Sequence, residues 1–313
     1  MNPISSRNGT NNSNETVLAQ LALRKASLDQ SQQEISTGKR INKVSDDPIG
    51  AAQAERAMTR IERIKVEQRA MDLQRGNVSL AESALGEGIE YVQRARELII
   101  SAGNATLDTP QRTSLANEIE NLRHSLLELA NRQDSNGMAM FGGRGSVAAP
   151  FVEDIAGVVS FVGVSGLAAS SDVSLPLALD GHSAFMFTSA TDPSASIFKA
   201  MDIAVAALKL PSTSPVTAVA LNLAISQGLN DIDTGLTQMQ SARGQAGDYL
   251  NQSDRIESLL NARMDQTETE RSRVQDLDMA QGISQMQSNQ TAYEIALKSY
   301  AQLQRLSLFN FMS

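Results

Sequence analysis

IKVEQRA MDLQRGN VSLAESA LGEGIEY VQRAREL I, residues 64–99, places an apolar side chain at the head of every group of seven: Ile64, Met71, Val78, Leu85, Val92 and Ile99. Ala81, Ala95 and Ala102 fall three residues after members of that series. A seven-residue apolar repeat held over this length keeps one seam of a helix facing a partner, as in a coiled coil. Gln74 and Gly88 read as breaks in the seam, which favours a bundle over a strict two-stranded zipper.

On either side the pattern remains helical. Leu115, Ile119, Leu122, Leu126 and Leu129 form a stripe after the restart at Thr109-Pro110, with Gly103 to Asp108 as the turn. Upstream, Leu18, Leu21, Lys25, Leu28, Gln32 and Ile35 step three and four apart, and Gly38 suits a helix C-terminus because it accepts positive φ. Ser45, Asp46, Asp47 and Pro48 read as the entry to the next helix: Asp accepts orphan N–H groups and Pro in the first turn loses no hydrogen bond. Downstream, Leu229, Ile232, Leu236, Met239, Ala246 and Leu250 make one stripe, interrupted by Arg243. Met279, Ile283, Met286, Tyr293, Leu297 and Tyr300 make another, which Leu303, Leu306, Phe309 and Phe311 extend, with a break expected near Gly282. The polar stretch Met1 to Glu15 reads as a flexible arm.

Between the helical flanks the punctuation changes. Five of the eight prolines lie from Pro150 to Pro215 and eight of the twenty glycines from Gly137 to Gly181, so this stretch is a different kind of structure. Val173, Leu175, Leu177 and Leu179 alternate with polar or small residues, the period of a half-buried strand. Asp180-Gly181 reads as a hairpin turn, Phe185-Met186-Phe187 as the returning strand, and Val158 to Val162 as another. The fold class that follows is mainly α: an elongated antiparallel bundle or coiled coil formed by the N- and C-terminal flanks, with a small β-rich inserted domain. The expected divisions are 1–44 and 276–313 as terminal helices that pair, 45–140 and 201–275 as the two parts of the bundle, and 141–200 as the insert.

Composition narrows the function. Lys+Arg number 27 against 35 Asp+Glu, a net charge of −8, which argues against nucleic acid because duplex affinity needs clustered cations. Cysteine is absent, excluding disulfides and thiolate chemistry. No apolar run approaches the ~20 residues of a membrane span, and no cleavable apolar signal precedes the helices. No catalytic constellation assembles. His124 lies on a helix beside Arg123, and His182 follows the Asp180-Gly181 turn. The acidic pairs Asp46/Asp47, Glu153/Asp154, Asp231/Asp233 and Asp276/Asp278 lack the oxygen-rich loop and turn glycine of a calcium site. Arg94, Arg96 and Glu97 read either as a solvated face or as an ion-pair site between subunits. Catalytic residues, metal and cofactor are all expected to be none.

Several blocks carry a resemblance. Ile35-Ser36-Thr37-Gly38-Lys39-Arg40-Ile41-Asn42 followed by Ser45-Asp46-Asp47-Pro48 resembles the N-terminal signature of the bacterial flagellin superfamily. Arg94-Ala95-Arg96-Glu97-Leu98 with Gly103-Asn104-Ala105-Thr106-Leu107 is similar to its next block. Phe141-Gly142-Gly143, the Pro48-Ile49-Gly50 that follows the two aspartates, and the ending Leu308-Phe309-Asn310-Phe311-Met312 look like the hook–filament junction members rather than filament flagellin. The resemblance covers roughly residues 17–150 and 229–313.

What the resemblance implies is a non-enzymatic subunit of a ring at the junction of hook and filament, secreted unfolded through the flagellar type III channel. Its partners would be copies of itself, the hook-side junction protein, flagellin, and an export chaperone on the C-terminal helix; nucleic acid and membrane insertion are not expected. Filament flagellin and an unrelated coiled-coil secretion or signalling protein are the alternatives. The expected assembly interface is Leu18, Leu21, Leu28 and Ile35 with Tyr293, Leu297, Tyr300, Leu303, Leu306 and Phe309. These stripes are too narrow to be satisfied by two helices alone and are expected to order fully only on assembly.

Overall fold

The computed structural model describes residues 4–103, 108–144, 149–166, 176, 178–189, 192–210 and 215–312; within those ranges side chains are described from 15 to 302, apart from 215–218, 220 and 221. The fold is mainly α. In chain order the elements are α1 (Ile4–Thr37), α2 (Pro48–Ala102), α3 (Thr109–Ala130), β1 (Phe151–Glu153), β2 (Val159–Phe161), α4 (Gly181–Phe185), β3 (Met186–Phe187), β4 (Ala195–Ser196), α5 (Ile197–Lys209), α6 (Pro215–Gln275) and α7 (Met279–Met312). They divide into two compact units: residues 1–65 with 261–313, and residues 66–260.

In the first unit α1 packs along α7. The backbone of α1 is already helical at Ile4, so the polar arm expected there is instead the first turns of a long helix. Once a helix is nucleated, each added residue contributes one more hydrogen bond, and propagation carries it through a polar stretch. Gly38, at φ +68°, ends α1. The break in the C-terminal flank falls at 276–278 rather than near Gly282, which lies inside α7. Its cause is local: the Asp278 carboxylate accepts the N–H groups of Ala280 and Gln281 and so starts a new helix.

In the second unit one apolar cluster runs through α2, α3, α5 and α6 and takes in Phe141, Phe151, Phe185 and Phe198. The Phe141 and Phe185 rings meet edge to face with centroids 5.3 Å apart, and Phe151 sits 5.3 Å from Phe185. The start of α3 carries a reciprocal cap: Gln111 N–H donates to Asp108 Oδ1 at 2.9 Å, and Asp108 N–H to Gln111 Oε1 at 3.1 Å.

Among the described residues the β structure is slight: two antiparallel two-stranded sheets, β1 with β2 (Phe151 opposite Phe161) and β3 with β4. The strand read at 158–162 is β2. The strand read at 173–179 falls mostly outside the described residues, and its described members Pro176, Ala178 and Leu179 are not in a strand. Asp180-Gly181 is not a hairpin turn. The Asp180 side chain accepts the His182 N–H and caps the short helix α4, which also claims Phe185, leaving only Met186-Phe187 as strand. An Asp-Gly pair serves a cap as readily as a turn, and the chain here is anchored by burial of Phe185 and by backbone pairing with residues 140–143, where Leu179 N–H donates to the Met140 carbonyl at 2.8 Å and Gly181 N–H to the Phe141 carbonyl at 3.1 Å.

Candidate assembly surfaces

The six heptad positions are all buried: Ile64 in the first unit, and Met71, Val78, Leu85, Val92 and Ile99 in the second. Gly88 is not a break in this packing. A Cβ there would come 2.9 Å from Met239 Cε and 3.1 Å from Leu126 Cδ1, so the small residue lets three helices close together. Polar interruptions read from the sequence find partners. Arg243 Nε donates to Glu82 at 2.7 Å, Arg94 reaches Glu118 at 3.0 Å, and Arg96 holds Asp233 at 2.6 Å. These pairs hold Arg94 and Arg96 within one chain, and Asp233 raises the Arg96 guanidinium further, chiefly by hydrogen bonding.

The terminal stripes are placed differently. Leu21, Leu28, Ile35, Tyr293 and Tyr300 are half-buried, while Leu18 and Leu297 are exposed. Leu303, Leu306 and Phe309 lie on α7, outside the described side chains. Between α1 and α7, Asn289 Nδ2 donates to Ser31 Oγ at 2.8 Å and to the Ser27 carbonyl at 3.3 Å.

The signature block forms the joint between these helices and the next ones. Arg40 N–H donates to the Gln275 carbonyl at 2.8 Å, Leu277 N–H to the Gly38 carbonyl at 2.9 Å, and Arg40 Nη2 to the Val274 carbonyl at 2.7 Å. Arg40 also lies 3.3 Å from Asp47. Asp47 Oδ1 accepts the Gly50 N–H at 2.9 Å and so caps α2, whose first residue is Pro48; that backbone bond lowers its carboxyl below the usual range, aided by Arg40. Asp46 does not cap the helix but closes the preceding loop, accepting Lys43 N–H at 2.8 Å and Asn42 N–H at 3.1 Å, which lowers it too. Ser45 is exposed. Gly50 is crowded: a Cβ would stand 2.5 Å from Asp47 Oδ2 and 2.6 Å from Ile41 Cδ1, so both side chains would have to shift.

Sequence reasoning missed Arg123. Only 3% exposed, it lies 2.8 Å from Glu153 and 2.6 Å from Asp202 and donates to the Gly157 carbonyl at 2.8 Å. It thereby ties α3, α5 and the β1–β2 hairpin together. Burial raises the Asp202 carboxyl above its usual range, against the opposing pull of Arg123. The signal was available: Arg123 follows Ile119 by four and precedes Leu126 by three, on the apolar side of α3. His124, one residue on, is exposed, as is His182, whose ring meets Phe161 edge-on. Among the described residues no three of His, Asp and Glu could hold a metal ion, and no helix is long and apolar enough to cross a membrane.

Comparison with known proteins adds to this geometry. The bacterial flagellin N-terminal helical region matches residues 9–146, and the bacterial flagellin C-terminal helical region matches residues 229–312. The chain is 32% identical over 292 residues to flagellar hook-associated protein 3 of Escherichia coli, covering 88% of this chain and 90% of that protein. It is 30% identical over 288 residues to the Salmonella typhimurium protein of the same name, with the same coverage of 88% and 90%. The crystal structure of flagellar hook-associated protein 3 from Legionella pneumophila shares the fold, with a TM-score of 0.62 at 20% identity over 69% of this chain and 97% of that one.

Proposed function

The chain belongs to the bacterial flagellin family, in its hook-associated protein 3 branch, and from that premise we propose that it is a structural subunit of the ring joining the flagellar hook to the filament. Relatives at 32% and 30% identity fall in that branch, whereas the flagellin of Bacillus subtilis is 25% identical. The observation that carries the reading is the pairing of α1 with α7, whose apolar stripes are left half-covered by that pairing alone. Leu18, Leu21, Leu28, Ile35, Tyr293, Leu297 and Tyr300, with Leu303, Leu306 and Phe309 beyond them, are then the surface on which neighbouring subunits pack.

The partners on this reading are copies of the chain, a hook-side junction protein and flagellin, and an export chaperone covers the C-terminal stripe before assembly. The chain is secreted unfolded through the flagellar type III channel. The absence of cysteine suits that route, since no disulfide can form to obstruct threading. A structural role needs no catalytic group, metal or cofactor. Electron microscopy of a deletion strain tests the proposal. Hooks without filaments, with flagellin shed into the medium, are expected; normal filaments on the mutant would refute it.

A further inference from the structure

The α1–α7 pair is not uniform along its length. Near the joint, at its base, the contacts are directional. Ser31 follows Leu28 by three and precedes Ile35 by four, and Asn289 stands in the same place between Met286 and Tyr293, so each is an inner position of its stripe. The two meet, Asn289 Nδ2 donating to Ser31 Oγ and to the Ser27 carbonyl. Ser31 Oγ in turn donates to the Ser27 carbonyl at 3.0 Å. Gln285 Nε2 donates to Asn289 Oδ1 at 3.1 Å, which turns the N–H groups of that amide across to α1. Among the described side chains of α1 and α7, Ser31 is the one that is buried, at 6% exposure.

Away from the joint the contact loosens. Val17, Leu21 and Arg24 of α1 and Ala292, Ala296 and Ser299 of α7 line an open groove of about 470 Å³. Alanine reaches no farther than Cβ, and space left unfilled forfeits van der Waals contacts. Leu18 at 48% and Leu297 at 40% lie exposed on this stretch. A hydrogen bond between helices adds modest net stability, but opening it leaves a buried hydroxyl and an amide without partners until water reaches them. The base is therefore the costlier end to open. We infer that Asn289 and Ser31 form a latch, dividing the pair into a tip that opens first (residues 15–26 with 290–302) and a base that opens last (27–37 with 279–289). The latch belongs to the single chain and does not depend on the ring reading above; on that reading, the tip is the part that neighbouring subunits close over.

Amide exchange of the full chain as dilute monomer, resolved segment by segment, tests the latch. Protection over 27–37 and 279–289 is expected to lie below that of the core yet about fivefold or more above that over 15–26 and 290–302. Asn289→Ala should abolish this step by lowering the base to the level of the tip, while the tip and residues 112–130 keep theirs. Alanine is the better helix former, so a loss of protection there cannot come from helix propensity. Exchanging the partners, Ser31→Asn with Asn289→Ser, again sets an amide against a hydroxyl and should restore the step. Even protection along the wild-type pair would overturn the inference, as would a step that survives Asn289→Ala. A step still missing after the exchange of partners would overturn its assignment to this contact.

Discussion

The α1–α7 pair and the helices of the larger unit use the same kind of three-and-four spacing, yet bury it to very different depths. In the larger unit Leu85, Val92, Ile99, Ile119 and Leu126 are fully buried, because they lie in a cluster drawn from several helices and the phenylalanine group. In the pair, α1 packs along α7, and Leu21, Leu28, Ile35, Tyr293 and Tyr300 remain half-buried. Two helices cover about one stripe each; a third direction of cover is what turns a stripe into a core. On the function proposed above, the difference is that between a core closed within the chain and a surface that neighbouring subunits complete.

Substitutions can break that comparison, and the largest effect is expected in the core. Leu85→Asp places a charge where exposure is nil, costing about 4 kcal/mol or more. Denaturant unfolding should show an unfolded or strongly destabilised chain; an unchanged midpoint would mean the heptad face is not a core. Arg123→Ala removes the cation that Glu153 and Asp202 share. Because both carboxylates keep some solvent access, the loss should be about 2 kcal/mol, below that of a fully buried pair. Thermal melts would show it, together with faster proteolysis of the β1–β2 hairpin.

The joint gives smaller effects. Gly50→Ala forces a Cβ against Asp47 and Ile41 and should cost about 1–2 kcal/mol. Acid acts on the same place. The Asp46 and Asp47 carboxyls are lowered in the folded chain, so their contribution is complete above the ordinary carboxylate range and is lost as pH falls through the lowered values. Asp47→Asn should therefore flatten the acid limb of the stability profile, measured by the melting temperature between about pH 2 and pH 5. The smallest effect on the monomer is expected at Leu297→Asp, within about 0.5 kcal/mol because the side chain is exposed. The same change should abolish incorporation into flagella, seen by immunoblot of sheared filaments and hooks.

The helices were legible from sequence because periodicity reports one buried face. The seam from Ile64 to Ile99 and the cap at Asp47-Pro48 depend on nothing farther away than a turn or a neighbouring helix. What escaped reading depends on distant partners. Arg123 is buried by residues on α5 and on a hairpin, far along the chain at Asp202 and Glu153, and Arg40 is fixed by the carbonyls of Val274 and Gln275. Gly88 looks like a gap in the repeat until Met239 and Leu126 are seen against it. Asp180-Gly181 fits a turn and a helix cap equally, and distant partners decide between them: Gly181 N–H donates to the Phe141 carbonyl at 3.1 Å, and Phe185 is buried.

Amide hydrogen exchange on dilute monomer tests the central claim most directly, since it reads the local stability of both regions in one sample. Rapid exchange is expected over residues 15–37 and 279–302, with strong protection over 78–99 and 112–130, and protection of the terminal helices arising only in assembled flagella. Strong protection of both terminal helices in the dilute monomer, matching that of the core, would contradict the claim that neighbouring subunits complete them.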